Sequence, residues 1–593
     1  MAISKKIQEE ALRLVEEERT AWEDAIVRIT PKASMKIKDA IQTFRKNYQG
    51  MYSKQEMNET HVWIPVTEEH VENAIKAFDL DQKDINFRAV NKKGRQTTAV
   101  VRSIVKNRLD HKFFGQDLDQ AERSLAIDGT VVWKVWKGEN EFGKMDVMYK
   151  QVDLLNFYID PHAETIQSTN AVIERVILPV EEVKADPELV NTDDLQGKEN
   201  LAMDGVSGSQ DNRKVKEVEL FERHGKMPRY FLTGNKKHTE MIDGRIVISG
   251  RGDSSMVHLI AENTNNLKPY EEAWYTRVPG QWYGRGIAQK VLGLQTWANM
   301  VKNIHITRQK VAQLGIMKVK KGSGITPQML KGLTVNGAIS VNNMDDIEQM
   351  AMQEASAAHY RDMDDIRSFA QAVTSSVGAI SPENLPASAP ATTSVINDRN
   401  NKSSFTLIRE GIGFWLQRLM DRHMTPIILA TTSVNDIIAI TGDDEAVQDI
   451  IERIVAKEAM KKMQARFPQV PTEQELAFAM ERAKSSLKKS DILLELKDSF
   501  NPKNYEMRPT KSFITNEEMD TAVMVQNMLS LLQIAPEAKA EIVKDIYDLM
   551  GRDAPKFSAQ QPQTPEPQKT PLQAAPTLQG VTTQANTNVG TAV

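Results

Sequence analysis

Hydrophobic and polar positions alternate in several registers along this chain, and each register predicts a different kind of element. Residues 4 to 47 carry the three-and-four spacing of two amphipathic helices broken near Pro31. "HVWIPVTEEHVENAIKAF" reads as a short strand followed by a helix starting near Thr67. After a further helical stretch, "DGTVVWKVWKG" switches to the two-residue period of a strand, with Val131, Trp133 and Val135 set against Val132, Lys134 and Trp136. "KMDVMYKQV", "LNFYIDP", "AVIERVIL", "KEVELFERHG", "PRYFLTG" and "GRIVISG" are strand-like too, so residues 125 to 280 form a β-rich block. The polar segment 184 to 213 interrupts it as a mobile loop.

From residue 284 the texture becomes that of long helices. Ile287, Val291, Leu294, Ala298, Val301 and Ile304 make a narrow apolar seam, and Gly315 supplies a stop. At about 1.5 Å per residue the helix 286 to 313 spans roughly 40 Å. A rod of that length with so narrow a seam needs neighbours.

Residues 316 to 347 hold two short strands, "IMKVK" and "AISV", around glycine turns. A second helix follows at 348 to 374, with Met352, Ala355, Met363, Ile366, Ala370 and Val373 on one face. Its other face carries Glu354, Asp362 and Asp365 with Arg361 and Arg367 beside them. "TSSVGAISPENLPASAPATTS" breaks the helical pattern, and Thr393 or Ser394 caps another long helix, 394 to 424, apolar at Ile408, Ile412, Trp415 and Leu419. Residues 444 to 490 read as a helical hairpin split by Pro468 and Pro471, and "DILLELKD" as a strand. Thr515 and Glu518 have capping-box spacing before a helix at 516 to 532; Pro536 opens another that ends at Gly551. The last forty or so residues are rich in Pro, Gln and Thr, a composition that predicts disorder unless a partner holds it.

Composition narrows the functional classes. With 593 residues the chain is long enough for several domains or one elongated assembly subunit. Its 75 basic and 80 acidic residues leave a net charge of -5, which argues against retention on nucleic acid by bulk positive charge. The absence of cysteine excludes disulfides, thiolate zinc sites and cysteine nucleophiles, and fits a reducing cytosol. The charged N-terminus has no signal-peptide core, and no window approaches eighteen consecutive apolar residues, so the expectation is a soluble protein without membrane partners.

Catalytic and cofactor signatures are missing. "KKGSGITPQ" lacks the lysine and hydroxyl of a phosphate loop, the ten histidines form no H-E-x-x-H pair, and no G-x-S-x-G elbow occurs. "DLDQKDINF" has neither the glycine at its sixth position nor the Glu at its twelfth that a calcium loop requires. The sequence therefore predicts no catalytic residues, no metal, no cofactor and no enzyme. "RGD" at Arg251 to Asp253 reads as a polar turn, the methionines Met350, Met352 and Met363 as packing, and His305 and His359 as packed or partly exposed side chains. Lys318, Lys320 and Lys321 fit either phosphate contact or a solvated turn.

The order of elements, with "FRKNYQGMY", "AIDGTVVWKVW" followed by "NFYIDP", "YGRGIAQKVLGLQTWANMVKN" and "ENLPASAPATTSVINDRNN", resembles the portal proteins of tailed bacteriophages, of the podovirus-like kind. The resemblance covers most of residues 30 to 550. It implies an α+β, mostly helical portal fold assembling as a ring. Residues 1–283 would be an N-terminal wing, 284–314 and 348–373 the two stem helices, and 315–347 the clip with its basic residues Lys318, Lys320 and Lys321. The tunnel loop would be 374–393, including Ser381, Pro382, Glu383, Asn384, Leu385 and Pro386. A long wing helix 394–424, a C-terminal wing 425–513, a short crown 514–552 and a low-complexity tail 553–593 would complete the chain.

The same resemblance implies a homododecamer around double-stranded DNA at one capsid vertex of the virion, made in the host bacterial cytoplasm. Its partners would be the terminase large subunit, head-tail adaptor and tail proteins, and the major capsid protein and scaffold. On this reading the seam from Ile287 to Ile304 packs between subunits, and Glu354, Arg361, Asp362 and Asp365 face the channel. A sliding duplex favours a mildly repulsive wall over a basic one, since counterion release makes basic contacts sticky; an ordinary solvated helical face has the same composition. A helical scaffold or adaptor of the virion that encloses no channel is the alternative.

Overall fold

The computed structural model describes residues 4–30, 33–52, 62–78, 80, 84–90, 98–199, 216–250, 255–263, 267–314, 316–321, 345, 347–350, 358–374, 405–432 and 501–509. All of them fall in one compact unit, Met1–Met524. Helix and strand both contribute, and helix is the larger share.

The N-terminal part opens with α1 (Lys5–Glu23), the hairpin β1 (Ile26–Thr30) and β2 (Ala33–Lys36), then α2 (Ile37–Gln49), α3 (Val66–Phe78), β3 (Ile85–Ala89), α4 (Thr98–Asp110) and α5 (Phe114–Asp128). The break near Pro31 is thus a β-hairpin between the two predicted helices. Residues 62–65 before α3 have no regular structure, where a strand was predicted.

The β-rich block follows with β4 (Thr130–Glu139), β5 (Met145–Val152), β6 (Phe157–Ile159), β7 (Ala171–Pro179), the short α6 (Val180–Ala185), β8 (Lys198–Glu199), β9 (Lys216–Pro228), one helical turn α7 (Tyr230–Thr233), β10 (Met241–Ser249), β11 (Met256–Glu262) and β12 (Tyr270–Trp274). Within the predicted loop 184–213, β8 pairs with β9. "PRYFLTG" makes α7 and no strand, because Gly234 takes the left-handed conformation (φ 69°) and donates its N–H to the Tyr230 carbonyl at 2.9 Å. One antiparallel sheet runs β11-β10-β9-β7-β6 with β8 beside β9, and a second runs β12-β4-β5. β4 is central in the second sheet, so its first six residues are all buried.

The long helix α8 (Ile287–Leu314) then leads to β12's successor β13 (Ile316–Val319), which pairs antiparallel with β14 (Ile347–Met350); α9 (Ala358–Thr374) follows. The second helix therefore does not begin at 348. Met350 and Met352 stand two apart, a spacing that also suits a strand, and Lys318 lies opposite Glu348 in the register. "AISV" lies outside the described residues.

α10 (Thr406–Leu419) continues through a π-helical turn, Met420–Met424, into α11 (Thr425–Thr431), and β15 (Tyr505–Pro509) closes the series by pairing with β3. The predicted end at 424 is overrun because Pro426 falls in the first turn of α11, where its missing N–H costs nothing, and the wide turn before it absorbs the change of pitch. The predicted caps Thr393 and Ser394 and everything from 433 to 500 and beyond 509 lie outside the described residues. Among those described, no helix is long and apolar enough to cross a membrane.

The largest apolar cluster gathers α3, α4, α5, β4, the start of α8, α9, α10 and α11, with Trp133 stacked on Tyr149 (5.3 Å between ring centres) and edge-on to Trp415 (5.6 Å). α1 lays Ile7, Ala11 and Val15 on the larger sheet as a separate cluster. The fold thus binds its C-terminal helices into the same core as its N-terminal ones, and α8 leaves from that core.

Candidate functional site

Four of the quoted sequence stretches meet at the root of α8. Gly129 ends α5 in the left-handed conformation (φ 81°), and its backbone lies directly on the loop Gly284 to Gly286. A Cβ at Gly129 would sit 2.6 Å from the Gly284 carbonyl oxygen, and one at Gly286 would sit 2.6 Å from that of Ala126. Only glycine permits this approach. The contact is fastened by Gly284 N–H donating to Thr130 Oγ1 at 2.8 Å and Tyr275 N–H to the Gly129 carbonyl at 3.0 Å.

Beside it, Arg45 of α2 donates to both Asp128 carboxylate oxygens (3.2 and 2.7 Å) and to Asp153 Oδ1 (2.8 Å). Burial pushes the Asp128 carboxyl above its ordinary range despite the opposing pull of Arg45. "NFYIDP" joins through the Pro161 carbonyl, which accepts Trp282 N–H at 2.8 Å, and through Phe157, whose ring lies 5.7 Å from that of Trp282. The angle at which α8 leaves the β-rich block is fixed by a glycine contact, a buried ion pair and an aromatic pair, all drawn from distant parts of the chain.

Further along α8, Gln295, Asn299 and Asn303 form a row of side-chain amides that bind the segment 62–64 and the first turn of α3. Asn303 accepts from Val62 N–H (2.7 Å) and donates to the Val62 carbonyl (3.2 Å), Asn299 accepts from Ile64 N–H (3.0 Å), and Gln295 accepts from Thr67 N–H (3.0 Å) while donating to the Ile64 carbonyl (2.6 Å). The helix satisfies this backbone as a neighbouring strand would. The sequence carries a signal for it in three amides at four-residue steps beside the apolar seam.

The C-terminal elements are clasped to the same block. Glu271 of β12, fully buried, accepts from Arg418 Nε (3.2 Å) and Arg422 Nη1 (2.9 Å), with His423 Nε2 at 3.4 Å. Burial acts to raise its pKa, and His423 and Arg422 more than offset this, holding Glu271 below the usual carboxylate range. Its neighbour Glu272 points the other way and accepts Ile166 N–H at 3.3 Å; burial and the nearby Glu271 charge push it up to about 8. On the far side of the π turn Asp421 accepts Met507 N–H at 2.7 Å, so one wide turn holds both β12 and the returning β15. None of these acidic or basic residues was singled out in the sequence, because their partners are more than eighty residues away.

The predicted seam divides. Ile287, Val291 and Ala298 are fully buried within this chain, and Leu294 packs against the same cluster. That corrects their assignment to a contact between subunits: the three-and-four spacing marked the face turned to the chain's own core. Val301 is half-buried and Ile304 is 45% exposed, so only the far end of the seam stays open. On α9, Ile366 and Ala370 are likewise buried, while Val373, predicted beside them, is 46% exposed, as is the neighbouring Phe369 at 53%. Arg361 and Asp365 are exposed and Asp362 is half-buried. Lys320 and Lys321 are exposed after β13, and Lys318 lies within that strand. Glu354, Ser381, Pro382, Glu383, Asn384, Leu385 and Pro386 lie outside the described residues, as do Met352, Ala355 and the RGD turn. His305 is buried. No protein-family model matches this chain, and no curated protein matches it.

Proposed function

We propose that this chain is a portal protein of a tailed bacteriophage, a non-enzymatic ring through which double-stranded DNA enters and leaves the capsid. The observation that carries the reading is the construction of α8. A 28-residue helix is rooted rigidly in a mixed block by the very stretches that resemble portal proteins, and it returns through a β-hairpin and α9 with apolar side chains left exposed on its far half. A root of this kind sets one angle for a stem, which identical subunits need in order to close a circle.

In this reading the β-rich block and the C-terminal return are the wing, α8 and α9 the stem, and β13 and β14 the base of the clip. The outward face of α9 bears Arg361, Asp364, Asp365 and Arg367, mixed charges that line the bore without gripping phosphate. Terminase supplies ATP hydrolysis during packaging, and adaptor and tail proteins later take its place at the clip. Negative-stain images of the purified full-length protein test the reading: rings with an axial opening are expected, and monomers at every concentration and salt tried would overturn it.

A further inference from the structure

The far half of α8 and the exposed flank of α9 are two different surfaces with opposite characters. Beside α2, α8 forms a groove of about 710 Å³ whose lining includes Lys46, Tyr52, Leu292, Met300, Ile304 and Arg308. Among the described residues no carboxylate and no part of α9 lines it. Met300 is 54% exposed there. On α9, Asp362, Asp365, Phe369 and Val373 fall within roughly 80° of one another at about 100° per residue, forming an apolar ridge with an acidic end. The two surfaces do not adjoin. Ala298 is buried in the same cluster as Ile366 and Ala370, and Met300 lies about 200° further round the helix.

The two surfaces are also level with each other. Thr374 Oγ1 lies 3.2 Å from His70 Nδ1, and Thr67, one turn earlier in α3, is bonded to Gln295. At the other end Ile316 pairs with Met350, so α8 and α9 run antiparallel, with Thr374 and Gln295 held one turn of α3 apart. Counting from there at about 1.5 Å per residue, Met300 is level with Phe369, Ile304 with Asp365, and Arg308 with Asp362, to within about one turn. A closed ring relates its copies by rotation without a shift along the axis, so in a stem whose helices run along that axis, level residues meet.

We propose that the α8 groove of one copy receives the α9 ridge of the next, with Phe369 against Met300 and Asp362 facing Arg308. This rests on the ring reading above and adds the contact that closes it: a heterologous joint, groove to ridge, whose charges match and whose apolar residues Met300, Ile304, Phe369 and Val373 are exposed in the single chain. It moves Asp362 and Asp365 from the bore wall to the joint, leaving Arg361, Asp364 and Arg367 for the bore.

The natural absence of cysteine makes the test direct. In full-length protein, Met300→Cys with Phe369→Cys should give a ladder of covalent multimers on denaturing gels after treatment with a short bismaleimide. Either substitution alone should give none, because like residues do not meet across a heterologous joint. Arg308→Asp or Asp362→Arg should each lower the assembled fraction about tenfold, and the two together should restore it. All four positions are at least partly solvent-exposed, so circular dichroism should show an unchanged fold. Rings that form without the cross-link and ignore the charge swap would overturn the joint and leave the ring reading standing. A cross-link confined to single copies would also overturn the joint. Monomers alone in the unmodified protein would overturn both.

Discussion

The two halves of α8 share one helix and one texture of sequence, yet they have different fates. From Ile287 to Asn299 the helix is flanked by α2, α3, α5 and α9: Ile287, Val291 and Ala298 disappear into the chain's own core, and Leu292, Leu294 and Trp297 pack against it half-buried. At Met300, Val301, Ile304 and Ile306 the same kind of residue is left half-exposed or bare. The first half gains its stability on folding. The second half keeps apolar surface in water at Met300 and Ile304, and covering it would be worth about 25 cal/mol for each Å² removed from water. In the proposed ring, one face of this helix would be satisfied from within the chain and its far end by a neighbouring copy.

The sharpest way to break the contrast is to spoil the root. Gly129→Val places a branched side chain at a φ of 81° and against the backbone of Gly284 and Gly286. We expect a loss of about 4 kcal/mol or more, seen as a lowered urea midpoint. Gly143, with a similar φ of 69° but open space around it, is the control; Gly143→Ala should cost only about 1 kcal/mol.

Next in size is a paired test of the two halves. Val291→Asp buries an unpartnered carboxylate and should destabilise the monomer by about 3–5 kcal/mol. Ile304→Asp should change monomer stability by no more than about 0.5 kcal/mol and act on assembly instead. If both positions affect unfolding equally, the division of the helix fails.

Glu272 extends the comparison to pH. Its folded pKa, about 8, lies above the ordinary 4.5, so the folded state holds the proton more tightly than the unfolded chain. Stability from this group is complete below about pH 4.5 and is lost as pH rises toward 8. Glu272→Gln, which keeps the shape without the charge, should therefore be more stable than the natural protein at pH 9, by about 2–4 kcal/mol, with the gap closing toward pH 5. A gap that stays constant from pH 5 to 9 would show that Glu272 does not titrate in the folded state.

How much of this was legible in the sequence depends on the range of the interaction. Strand alternation over Val131 to Trp136 and the helical spacing from Ile287 to Ile304 survive in the structure because each is a local periodicity. The identity of the face was not legible: an apolar seam looks the same whether it meets its own chain or a copy. β14 was not legible because Met350 and Met352 suit two periods at once, and β15 was not legible because its partner β3 lies some four hundred residues earlier. The root itself was present as quoted fragments. What joins them, a glycine contact and the Arg45 ion pair, depends on three-dimensional proximity that spacing does not encode.

The smallest expected effect is the most local test of where the enclosed half ends. Gln295 is fully buried, Asn299 nearly so and Asn303 only half, although all three bind the backbone between Val62 and Thr67. Removing a buried partner leaves a donor or acceptor unsatisfied, whereas water replaces a partner lost at the surface. Substitution by Ala should thus cost about 2–3 kcal/mol at Gln295 and about 0.5 kcal/mol at Asn303, with Asn299 between. Hydrogen exchange locates the change: Thr67 N–H should lose protection in the first variant and Val62 N–H in the last. A gradient running the other way would mean that the far end of α8 is covered already in the single chain, and the bare side chains of Met300 and Ile304 would then give no reason to seek a neighbour.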